Sequence, residues 1–117
     1  MRKLLFLLVP VVALAQSPPT PEGLRCPERT LVLFDFQQEN AAKAKQVYDE
    51  HIAYMVSLMK AGKVLSAGPT VDGRALIIFA IRDWAEVEAI MKKEPFTREG
   101  VMKMTSHTVW RACEAEK

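Results

Sequence analysis

Thr30-Leu31-Val32-Leu33-Phe34-Asp35-Phe36 decides the fold. Its β-branched and aromatic content marks a strand, and alternation puts Leu31 and Leu33 on one face and Val32, Phe34 and Phe36 on the other. Both faces are apolar, so both need cover. A second segment of the same kind, Ala75-Leu76-Ile77-Ile78-Phe79-Ala80-Ile81, lies further along. Between them, from about Asn40 to Ala61, the pattern turns helical, with Ala41, Ala44, Tyr48, Ile52, Met55 and Met59 on one stripe, and Gly62 as the C-terminal stop. Val64 to Ala67 reads as a short strand and Gly68 to Gly73 as a turn.

Beyond the second apolar strand, Asp83 caps a helix with Glu86 three residues on, and Trp84, Val87, Ile90 and Met91 form its buried side. Lys92 and Lys93 suit its last turn, and Pro95 is expected to end it. Phe96 to Val101 adds one helical turn, and Lys103 to Arg111 a last strand. The order β-α-β-β-α-β predicts an α+β fold of the ferredoxin-like kind, a four-stranded antiparallel sheet with two helices on one face. The other sheet face would then lie open and apolar, which predicts a homodimer with sheets packed face to face.

Around this domain, residues 28–113, the sequence carries different signals. Met1-Arg2-Lys3 is a basic head, and Leu4 to Ala15 an apolar run closed by Ala13-Leu14-Ala15, the pattern of a secretory signal peptide over residues 1–15. The run is shorter than the roughly 20 residues of a membrane span and contains Pro10, so no stable membrane anchor is expected. Export to the periplasm or outside the cell, with cleavage near Ala15, is the expectation. Residues 16–27 read as an extended, proline-rich tether and 114–117 as a tail. The chain has 16 Lys and Arg against 14 Asp and Glu. Losing Arg2 and Lys3 with the leader balances the two at 14 each, and no basic stripe remains to suggest a nucleic-acid partner. Cys26 and Cys113 are either two free thiols or one bridge. Export permits a disulfide, and the topology brings the entry of the first domain strand beside the exit of the last, which favours Cys26–Cys113.

The chemistry-bearing stretch is His51 to Gly73. A histidine near a carboxylate can take and return a proton close to neutral pH, because its unperturbed pKa is about 6.5 and the carboxylate fixes its tautomer. His51 and Asp72 are the candidate catalytic pair, and Tyr48, Gly68 and Pro69 the candidate substrate-binding residues. The plainer alternatives are a satisfied core histidine for His51 and ordinary turn chemistry for Gly68, Pro69 and Asp72-Gly73. His107, in the last strand, reads as structural. Two histidines and two cysteines show no metal-ligand spacing, and no phosphate loop, serine elbow or Cys-x-x-Cys is present, so neither metal nor cofactor is expected.

From Thr30 to Trp110 the chain resembles the YciI-like (YCII-related) family of the dimeric α/β-barrel superfamily. The marks are His51-Ile52, Gly62-Lys63-Val64-Leu65, Ala67-Gly68-Pro69, Asp72-Gly73, the strand at Ala75, and Glu94-Pro95-Phe96 followed by Gly100. The resemblance implies the dimer and an active site built on the helix histidine and the aspartate after the second strand. Two departures stand out. Tyr48 replaces an arginine that many relatives carry, and Glu94-Pro95-Phe96 replaces their Asp-Pro-Phe. The functional expectation is a cofactor-independent acid/base enzyme of isomerase or lyase type acting on a small organic molecule. The alternative is a non-catalytic ligand-binding or dimeric assembly domain.

Overall fold

The structure, a computed structural model, describes residues 18–117, so the export signal and its cleavage position lie outside the described residues. The chain forms two units, one of residues 27–112 and one joining the leader up to Cys26 to residues 113–117.

In the larger unit β2 (Glu28–Phe36) leads through a 3-10 turn into α1 (Ala41–Lys60); β3 (Val64–Pro69) and β4 (Arg74–Phe79) form a hairpin. Helices α2 (Trp84–Lys93) and α3 (Pro95–Arg98) precede β5 (Met102–Arg111). The sheet order is β3-β4-β2-β5, with every neighbouring pair antiparallel. This is the ferredoxin-like arrangement expected from the order of elements.

The alternation in β2 and β4 sorts their side chains as the sequence predicts. Val32, Phe34, Ile77 and Phe79 are buried in one core with Met55 and Leu58 of α1, Val87 and Met91 of α2, and Phe96 of α3. On the opposite face Leu31 lies across from Ile78 and Leu33 across from Leu76. Thr30, the buried polar residue of β2, donates its Oγ1 hydrogen to the Ile81 carbonyl at 2.6 Å, which satisfies the hydroxyl. His107 stacks on Trp84 with ring centroids 3.6 Å apart, joining β5 to the start of α2.

Two boundaries and one helix face differ from expectation. β3 continues through Gly68 and Pro69 because both pair with β4, so the turn is confined to residues 70–73, where Gly73 takes φ +87°. Pro95 starts α3 as well as stopping α2, since a missing N–H costs nothing in a first helical turn. The third difference is the face of α1. The predicted stripe is the buried one only in part: its Met55 enters the core and its Ala44 packs against it, joined by Leu58, Val47 and Tyr54 from the neighbouring stripe, while Tyr48, Ile52 and Met59 stay 40–54% exposed. The helix carries two adjoining apolar stripes, and its sequence alone does not say which one meets the sheet.

In the smaller unit, leader and tail pair with each other. β1 (Leu24–Arg25) and β6 (Glu114–Ala115) form an antiparallel ribbon, flanked by the Cys26–Cys113 disulfide. Arg25 and Glu114 add an ion pair.

Gly100 adopts φ +73°, and a Cβ there would stand 3.0 Å from Asn40 Nδ2, which donates to the Gly100 carbonyl. A left-handed conformation costs an L-residue roughly 1–2 kcal/mol. Gly100→Ala is therefore expected to lower unfolding free energy by about that amount in urea denaturation, whereas Gly68→Ala, at an ordinary φ with open space around the new methyl, should change it by less than about 1 kcal/mol.

Candidate active site

A single residue, Glu94, separates α2 from α3 and serves both helices. It ends α2 in an extended conformation and caps α3, where Oε1 accepts from Thr97 N at 3.0 Å and Thr97 Oγ1 at 3.1 Å, and Oε2 from Phe96 N at 3.1 Å. Its side chain is fully buried. The remaining partner of Oε2 is His51 Nδ1, at 2.5 Å.

His51 is brought to this carboxylate by α1. Tyr54 of α1 donates its hydroxyl to the Ile90 carbonyl of α2 at 2.8 Å, and Glu50 takes both terminal nitrogens of Arg98 on α3, at 3.0 and 3.2 Å. These contacts flank His51 on the helix and fix its height over α3. The imidazole then stacks on Phe96, with centroids 3.7 Å apart and planes 3° from parallel. One face and one nitrogen of the ring are thus committed.

Burial alone would raise the Glu94 pKa. The hydrogen bond from His51, the amides of Phe96 and Thr97 and the His51 charge outweigh it and hold the carboxyl below its ordinary value. An ionised carboxylate only accepts, so Nδ1 carries the hydrogen and the free lone pair of a neutral His51 lies on Nε2. Nε2 has no hydrogen-bond partner among the described residues, and no buried side-chain nitrogen or oxygen there lacks one. It therefore meets solvent. The same Glu94 charge, after desolvation, pushes the Tyr54 hydroxyl pKa upward.

His51 opens on a hollow of about 450 Å³ between α1 and the β3–β4 hairpin. Tyr48, Gly68 and Pro69 line it too, so four of the residues singled out in the sequence meet in one place. Asp72 is the correction. It sits in the hairpin turn, where its carboxylate takes the Thr70 hydroxyl and the Arg74 guanidinium, and these bonds hold its pKa down. It does not line the hollow and does not partner His51. Glu94 fills that role, 43 residues along the chain from His51. The usable signal was Glu94-Pro95-Phe96 itself, an acid placed directly before a helix-starting proline. Among the described residues no group of three His, Cys, Asp or Glu side chains is placed to hold a metal, and no helix is long and apolar enough to cross a membrane.

Comparison with known proteins agrees with this geometry at the level of the fold. Residues 29–111 match the YCII-related domain. Among solved structures the chain is similar to 5-chloro-2-hydroxyhydroquinone dehydrochlorinase (TftG) from Burkholderia phenoliruptrix AC1100, in complex with 2,5-dihydroxybenzoquinone. The TM-score is 0.55 at 22% identity, over 71% of this chain and 91% of that one. No curated protein matches.

A carboxyl whose folded pKa lies below its ordinary 4.5 contributes stability that is complete above that value and is lost as pH falls through the folded value. Denaturation midpoints of the wild type should thus fall as pH is lowered from 6 to about 3. Glu94→Gln should lose about 1–3 kcal/mol at pH 7 and show a flatter dependence across that acid range, measured by urea denaturation at each pH.

Proposed function

Because the chain belongs to the YCII-related family, we propose that it is a small enzyme that moves protons with its own side chains, His51 acting as general acid/base and Glu94 holding it in place. The single observation that carries this reading is the arrangement of the imidazole: Nδ1 bound to a buried carboxylate, Nε2 without a partner among the described residues, and the residue lining an open hollow. Nε2 takes a proton from an acidic C–H or O–H of the substrate while Glu94 stabilises the imidazolium that forms. The electron pair left behind then expels a leaving group, or returns at another atom when His51 gives the proton back. The first outcome is an elimination, the second an isomerisation. The similar dehydrochlorinase supports the eliminating branch, and its complex with a small ring compound supports a small organic ligand.

The same reading places two copies together through the open sheet face. Leu31, Leu33, Leu76 and Ile78 form an apolar surface there, and burying a large side chain gains roughly 1.5–3 kcal/mol. An exported setting is supported by the N-terminal pattern and by a disulfide, which persists outside the reducing cytosol.

Chloride release from 5-chloro-2-hydroxyhydroquinone, followed alongside a panel of small carbon acids, tests the chemistry. His51→Ala should abolish whatever turnover the wild type shows, and Glu94→Gln should reduce it by about 10²–10⁴-fold, the usual contribution of a positioned acid/base. Turnover equal in wild type and His51→Ala would overturn the assignment. Sedimentation of the mature chain at micromolar concentration should give the mass of two chains, and Leu31→Glu should reduce it to one.

A further inference from the structure

The hollow is much longer than the reacting end needs. From His51 to Met59 the helix advances eight residues, about 12 Å at 1.5 Å each. Along that length Ile52, Val56 and Met59 form one wall, Ala67 stands on β3 opposite, and each of the three helix residues is 40% exposed. This is the apolar stripe of α1 that the core leaves uncovered. It is continuous with the His51 end, where Tyr48 and Phe96 flank the imidazole. Polar side chains line the hollow at that end alone: Tyr48 and His51.

Charge points the same way. Among the described residues no lysine or arginine lines the hollow. The nearest charged group to the imidazole is the Glu94 carboxylate behind it, so a protonated His51 already has its counter-ion. An anionic head would be desolvated there without a cation to receive it. A neutral head that lends a proton to Nε2 suits the pair, and an apolar extension suits the rest of the volume, which at about 450 Å³ is of the size that holds a whole small ligand.

Resting on the acid/base reading of His51, we propose that the substrate is an uncharged molecule with a small protic head at His51 and an apolar tail lying along α1 as far as Met59. Tyr48 flanks the head, and Val56 and Met59 measure the tail. The exposed stripe is then the ligand's wall, covered when the site is filled.

The probes are 4-ethylphenol, 4-heptylphenol and 4-heptylbenzoate, titrated into the mature protein while the His51 imidazole is followed by NMR. A buried methylene is worth up to roughly fourfold in affinity. The heptylphenol should bind at least about 30-fold more tightly than the ethylphenol, and the benzoate at least about tenfold more weakly than the heptylphenol, with His51 shifting in each bound state. Met59→Glu, a change at a half-exposed helix position, should cut the gain from chain length to about threefold or less. Equal affinity for the two phenols, equal or tighter binding of the benzoate, or no movement of His51 with any probe would overturn the inference. So would a self-association that covers the stripe and is dissolved by Met59→Glu, since a second copy would then be its occupant. The outcomes separate from those of the proposed function: chain-length-dependent binding without turnover leaves the tail assignment standing and removes the enzyme, while turnover with no preference for length does the reverse.

Discussion

One buried carboxylate holds this molecule's working parts together. Glu94 terminates one helix, begins the next and fixes the imidazole of a third, all with two oxygens and no exposure to water. Withdrawing a charge from water without partners would cost several kcal/mol, and the arrangement persists because four donors surround it. The short helix α3 is therefore more a bracket than a helix. Its first two amides exist to receive a carboxylate, and its second residue, Phe96, supplies the flat surface on which the imidazole rests.

The geometry divides labour between the two apolar stripes of α1. Met55 and Leu58 bind the helix to the sheet, while the neighbouring stripe, one step round the helix, is left for the hollow. A rigid inner contact thus sets the position of the outer one, where β-branched Ile52 and Val56 give a stiff wall and Met59 alone is unbranched and adaptable. His51 lies where the stripes meet the bracket, so the core packing and the His51–Glu94 pair share a single helix.

The sheet was legible because its signal is local. The alternation in β2 and β4 names their faces residue by residue, and the order of elements leaves few ways to arrange four strands. The position of His51 was equally plain, as were Tyr48, Gly68 and Pro69 around the hollow. What could not be read was the partner across space. Asp72 is close to the expected strand end and carries a familiar turn signature, yet its neighbours Thr70 and Arg74 take its hydrogen-bonding capacity before any distant histidine can. Glu94 is far in sequence and looks like an ordinary helix-ending residue until the chain doubles back on it. The face of α1 was legible only in part, Met55 and Ala44 being read correctly, for a different reason: two stripes of similar apolarity compete, and only the sheet decides between them.

The Cys26–Cys113 bond gives the molecule a mechanical property as well as a chemical one. It joins positions 87 residues apart, with the β1–β6 ribbon just outside it, so tension applied at the two ends runs through the clasp and bypasses everything between. Load applied from the two ends would pass through one covalent link, and the residues between the two cysteines would feel none of it.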